Sequence, residues 1–176
     1  MSILRLLKRN AGSDSKPSTE TEAVRKIIQS LDQLDQERAK FIAAFAYLLS
    51  RVARADLHIS LEETDAMEKI VMERGGLPES QAVMVIQLAK TQNVLFGGTE
   101  NFLVSREFNS IASHDEKMNL LDCLYSVASA DHSISTVEDN EISQIADELR
   151  IEHRDLISIR SRYRDQLAVL KNSRAH

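Results

Sequence analysis

Adding 75 to the position numbers in the first half of this 176-residue chain reproduces much of the second half. Val52-Ala53-Arg54-Ala55-Asp56 answers to Val127-Ala128-Ser129-Ala130-Asp131, Ile59-Ser60 to Ile134-Ser135, and Glu63 to Glu138. The apolar positions repeat as well. Phe45, Leu48, Leu49 and Val52 map to Leu120, Cys123, Leu124 and Val127, and Met67, Ile70 and Val71 map to Ile142, Ile145 and Ala146. A duplication that preserves both a loop motif and the helix faces on either side of it predicts two helix-loop-helix units packed against each other.

The spacing within each copy is helical. Phe41, Phe45, Leu48 and Val52 fall at i, i+4, i+7 and i+11, one face of a helix of several turns. Gly75-Gly76 ends the next helix, and Pro78 opens another at its first turn. A break is expected over residues 93–99, then a helix through Phe102 to Ile111 and three more at about 114–130, 136–149 and 153–170. Five Gly and two Pro are too few for a turn-dense sandwich or barrel. The fold class read from this is all-α, a compact bundle of about seven to eight helices built from two repeated units, at about 35–92 and 113–170.

Residues 22–176 form the single helical domain in this reading. Residues 10–21 combine Gly, Pro, Ser, Thr and Asp without an apolar face, the composition of a mobile linker. The stretch before it carries Ile3, Leu4, Leu6 and Leu7 with Arg5, Lys8 and Arg9, so that residues 1–21 make a basic amphipathic start and a flexible linker. Such a short segment is either a frayed end or a docking peg for a partner or an anionic membrane surface. Its apolar run is too short for a membrane span or a signal-peptide core.

A chain of this length buries roughly two-thirds of its unfolded surface and needs no metal or disulfide to fold. Cys123 is the single cysteine, so no internal disulfide forms, and its place on a repeated apolar face marks it as a core side chain. This usage fits a reducing compartment, and the reading places the chain in the cytoplasm. Net charge is −5, with +3 on residues 1–18 and −8 on the remainder. So acidic a body excludes a phosphate-backbone partner, and nucleic acid is not expected.

Each repeat holds Ala-Asp-x-x-Ile-Ser-x-x-Glu, at residues 55–63 and 130–138. Ser60 with Glu63 and Ser135 with Glu138 satisfy the Ser-x-x-Glu capping box. Glu62, Asp65, Asp139 and Glu141 lie in first turns, where the helix dipole favours carboxylates without any ligand. Asp56 and Asp131 are different, because each stands where a helix ends and the dipole disfavours an anion. Their partner is either a turn N–H or an arginine such as Arg51 or Arg54, or a cation shared with the Glu seven residues on. In the second case Asp56, Glu63, Asp131 and Glu138 converge as metal ligands, and their hard oxygens select Ca²⁺, Mg²⁺ or Mn²⁺ over Zn²⁺. His58 and His132 sit at unequal offsets and read as incidental. The spacing is not that of an EF-hand.

Phosphate-loop, Cys-x-x-Cys, His-Glu-x-x-His and Gly-x-Ser-x-Gly signatures are all missing from the sequence, and no nucleophile is identified. His114 and His153 stand near acids at helix starts and read as surface residues.

At the duplicated motif the sequence resembles the TerB-like proteins of tellurite resistance, a module also found at the amino-terminal side of a membrane-anchored DnaJ-type co-chaperone. The likeness covers about residues 35–170. Asp56, Ile59, Ser60 and Glu63 stand at the motif positions in one half, and Asp131, Ile134, Ser135 and Glu138 in the other. The family's usual Gly after the Asp is Leu57 and His132 here. The resemblance implies an all-helical module without catalytic activity, with acidic positions used for metal or for contacts in a membrane-associated stress-response complex. It would be cytoplasmic and peripheral to the inner membrane. Three functions follow as expectations: a non-enzymatic module that binds a divalent cation and presents helix surfaces to protein partners, a structural adaptor whose acids are caps and turn formers, and a metal-dependent hydrolase.

Overall fold

The computed structural model describes residues 3–5, 8, 19–53, 61–95 and 101–173, apart from the side chains of 19–24, 61–63, 91–95, 101 and 171–173. The regular structure of the described residues is helical, without strands. In chain order the helices are α1 (Thr19–Asp32), α2 (Gln36–Ala53), α3 (Leu61–Glu73), α4 (Glu79–Leu95), α5 (Asn101–Ile111), α6 (His114–Ala128), α7 (Thr136–Glu148), α8 (His153–Arg162) and α9 (Ala168–Ser173).

The repeat is visible in the helix boundaries. α2 ends at Ala53 and α6 at Ala128, α3 spans Leu61–Glu73 and α7 Thr136–Glu148, so three boundaries coincide at the 75-residue offset. The following turns differ by one residue. Gly76 has a left-handed φ of 68° after α3, and Arg150 takes the same conformation, φ 56°, after α7. Gly75 is needed for a second reason: a Cβ there would meet the Val71 carbonyl oxygen at 2.4 Å and the Phe45 ring at 3.0 Å.

α2 is the axis of the bundle. The spacing of its large apolar residues predicts one buried face, but Ala43, Ala44 and Ala46 are as fully buried as Phe45 and Leu48. The reason is that α1, α4, α5, α6 and α7 all pack on α2, and the alanines let neighbouring backbones approach closely. Phe41, Phe45 and Phe108 form one aromatic cluster at its start, with Phe41 and Phe108 centroids 5.1 Å apart. The two repeats therefore share one core, because α6 and α7 of the second press against α2 of the first. Cys123 is fully buried in that core, and burial pushes its thiol pKa well up.

Two expectations need correction. The helix expected over 153–170 is interrupted: α8 stops at Arg162, the Tyr163 hydroxyl turns in to Asp122, and Leu167 forms an isolated parallel bridge with Ile134 before α9 begins. The helical body also starts earlier than residue 22, since α1 begins at Thr19. Residues 9–18, most of the expected linker, lie outside the described residues. At the amino-terminal start, Ile3 is 1% exposed within the core, and Lys8 pairs with Asp32 at the end of α1. The peg thus rests on the chain's own body.

Candidate functional site

The second copy of the motif joins α6 to α7. α6 ends as the Ser129 N–H donates to the Tyr125 carbonyl (3.0 Å), and a tight turn follows, with the His132 N–H donating to the Ser129 carbonyl (2.8 Å). His132 is left-handed, φ 66°. This is the position where the TerB-like pattern carries Gly, and the backbone here has the conformation that Gly favours. Asp131 is exposed, and its Oδ1 accepts the Ser133 N–H at 2.9 Å, a local Asx turn.

Ile134 then turns inward, 1% exposed, and is held at both main-chain groups: its N–H donates to the Gln166 carbonyl (2.8 Å) and its carbonyl accepts from the Ala168 N–H (2.9 Å). Ser135 is the N-cap of α7. Its Oγ accepts the Glu138 N–H at 3.2 Å, while Glu138 Oε2 accepts from the Ser135 N–H at 2.8 Å and from the Ser135 hydroxyl at 2.7 Å. The capping box is complete, and Asp131, Ser135 and Glu138 each have a local structural task.

Of the four carboxylates expected to meet, the structure describes two. Asp56 lies outside the described residues, as does the side chain of Glu63. Asp131 and Glu138 each spend one oxygen on their own backbone, and Asp131 Oδ2 and Glu138 Oε1 have no partner among the described residues. Among those residues no group of three or more His, Cys, Asp or Glu side chains is placed to hold a metal ion. A hard divalent cation takes six or more oxygens, so the described loop alone falls short of a cation site.

Asp139 and Glu141, two of the other first-turn acids, have different partners from those the dipole argument supplies. Asp139 is buried, and Arg160 grips it with two hydrogen bonds, Nε to Oδ1 at 2.8 Å and Nη2 to Oδ2 at 2.6 Å, while the Tyr125 hydroxyl donates to Oδ1 at 3.1 Å. Glu141 accepts from Arg51 Nε at 2.6 Å. Arg51, offered by the sequence as a partner for the loop aspartates, instead sends its guanidinium to Glu141 and Glu148, beside the Ser105 hydroxyl. Its side chain is 2% exposed. Burial works against its charge, but the hydrogen bonds to Glu148 and Glu141 outweigh that and hold its pKa above the ordinary value.

A second buried network lies beside it. The Tyr125 and Tyr163 rings stack with centroids 5.5 Å apart, and the Tyr163 hydroxyl donates to Asp122 Oδ1 at 2.9 Å. Burial, then the Asp122 bond, push the Tyr163 hydroxyl up to about 12. None of Arg51, Asp122, Tyr125 or Asp139 belongs to the duplicated pattern: their counterparts are Ser126, Tyr47, Ser50 and Thr64. A search for repeated residues passes over them.

Comparison with known proteins gives one result. The family described as "Tellurite resistance protein TerB" matches residues 41–161, which takes in both copies of the motif. No curated protein and no solved structure matches the chain.

Proposed function

The chain belongs to the TerB family of tellurite resistance proteins, and we propose that it acts as a non-enzymatic helical module that presents the surface around its second motif loop to a protein partner. The observation that carries this reading is the way the loop is built. Asp131, Ser135 and Glu138 are engaged in turn and cap bonds, while Val137, 74% exposed, and Val169, 47% exposed, each stand within three residues of the bridged pair Ile134 and Leu167. An acidic turn flanked by exposed aliphatic side chains suits docking better than chemistry. The cavity of about 500 Å³ beside α1 and α2 is lined by Leu31, Leu34 and Ala39 among others, and by neither Asp131 nor Glu138. The family at large is a non-enzymatic one, which supports the same reading.

The test is tolerance to tellurite in a host strain lacking the chain, complemented with the parent or with Val137→Asp combined with Val169→Asp. The expected outcome is loss of tolerance with an unchanged melting temperature. Full complementation by the double variant would remove the docking surface from consideration.

A second reading rests on the oxygens left over. Asp131 Oδ2 and Glu138 Oε1 are available to a cation, and the duplicated motif supplies Asp56 and Glu63 as the matching pair. In this reading Ca²⁺, Mg²⁺ or Mn²⁺ is held between the loops and stiffens them for the partner. Calorimetric titration of the metal-stripped chain with each ion, beside Asp56→Asn combined with Asp131→Asn, decides it. Heat that the double variant loses, together with a cation-dependent rise in melting temperature, supports the site. Absence of heat for every ion leaves the acids as turn and cap formers.

A further inference from the structure

The amino-terminal strap, residues 3–5 and 8, is attached in the manner of a bound peptide. Ile3 is its buried anchor, at 1% exposure. The Ile3 main-chain N–H donates to Glu107 Oε2 on α5 at 2.8 Å, and the Lys8 ammonium pairs with Asp32 Oδ1 at the end of α1 at 2.7 Å, both side chains half exposed. Leu4 packs at the edge of the core, and the groove floor between α1 and α2 is made by Leu31, Leu34 and Ala39. A cavity of about 500 Å³ remains open alongside, so the strap does not fill its groove. The charges are complementary, with +3 on residues 1–18 and −8 on the rest.

Only a tether makes this contact internal. Lys8 is held at the carboxyl end of α1, whereas the chain re-enters the body at Thr19, the amino end of the same 14-residue helix. At 1.5 Å per residue those ends are about 20 Å apart. The eleven residue steps from Lys8 to Thr19 reach at most about 36–40 Å, so the strap docks on its own body with slack to spare. A second copy offers the same anchor, the same N–H and the same ammonium to the same groove.

We propose that the groove formed by α1, α2 and α5 is a docking site for a basic aliphatic segment, and that a second copy of this chain supplies that segment in trans by strap exchange. The exchanged pair has two identical strap-in-groove contacts related by two-fold symmetry. A tether of this length gives the internal strap an effective concentration on the order of a millimolar, so the closed monomer prevails at micromolar protein and exchange takes over when the tether cannot span α1.

The experiment is sedimentation equilibrium at micromolar protein on the full chain and on a chain lacking residues 10–16, with helix content checked by circular dichroism. That deletion leaves four residue steps, about 14 Å, between Lys8 and Thr19. The full chain is expected to be monomeric and the shortened chain dimeric, and Ile3→Asp in the shortened chain is expected to restore the monomer. Because Lys8 and Asp32 are exposed, Lys8→Glu in the shortened chain tests the same contact without threatening the core, and should weaken the dimer about 3- to 10-fold. A shortened chain that stays monomeric overturns the proposal. So does a dimer that withstands both substitutions, since it would use another surface.

Discussion

Arg51, near the end of α2 in the first repeat, binds Glu148, the last residue of α7 in the second, with Nη1 2.6 Å from Oε2 and Nη2 3.1 Å from Oε1. The pair fastens one repeat to the other inside the protein, with Glu141, Ser105 and Gln144 as further partners of the two side chains. Replacing Arg51 alone strands two carboxylates in a mostly buried setting. Arg51→Met should therefore destabilise the chain by about 3–5 kcal/mol, whereas Arg51→Met combined with Glu148→Leu should recover much of the loss. Urea unfolding followed by circular dichroism measures both, and additive effects would show that the two side chains do not act as a pair.

The same pair sets an acid limit. Burial alone would raise the Glu148 pKa, but the bonds from Arg51 and Ser105 outweigh it and hold the carboxyl below its ordinary 4.5. The folded state thus binds this proton more weakly than the unfolded chain. The stabilisation is fully present above about pH 4.5 and is lost as pH falls through the lowered folded value. Parent and Glu148→Gln should differ in melting temperature at pH 7 and converge progressively below about pH 4.5. A difference that stays constant down to pH 3 would remove the ion pair as its source.

Two capping boxes of identical design allow an internal comparison. Ser113 with Glu116 opens α6, and Ser135 with Glu138 opens α7. If the motif serine is a cap and nothing more, Ser135→Ala should cost the same as Ser113→Ala, about 0.5–2 kcal/mol each. Denaturant midpoints with an unchanged slope test this. A much larger loss at Ser135, or one that depends on added divalent cation, would assign the motif loop a role beyond capping.

The repeat made the fold legible. Three helix boundaries fall at the offset that the duplicated residues set, because a helix face and its cap are local properties of the chain. The motif loop was legible for the same reason: Ser135, Glu138 and the turn at Asp131 act within a few residues of themselves. What holds the halves together was not. Arg51 crosses to Glu148, 97 positions away, and Asp122 pairs with Arg74 of the first half, while Tyr125 and Asp139 tie α6, α7 and α8 together within the second half; none of the four has a like residue in the other repeat. Duplication marks what each half needs for itself. An interface between halves needs unlike residues on its two sides, so it leaves no repeated trace. The strap was legible as amphipathic and basic, but Ile3 fills a place that α5 and the core create, and no local pattern specifies that.

His132 offers the sharpest check on the loop. It is an L-residue at φ 66°, a conformation that costs roughly 1–2 kcal/mol for most side chains. The side chain is exposed, so removing it relieves backbone strain, offset by a looser unfolded chain and by loss of the interaction the residue makes. His132→Gly should accordingly be neutral or stabilising by up to about 1 kcal/mol, and His132→Val, whose branched Cβ tolerates this region poorly, should destabilise by about 1–2 kcal/mol. The ordering Gly, then His, then Val in denaturant midpoint is the expected result. If valine proves as stable as glycine, the turn does not need the left-handed residue, and the Asx turn at Asp131 must be maintained by the bridge between Ile134 and Leu167 alone.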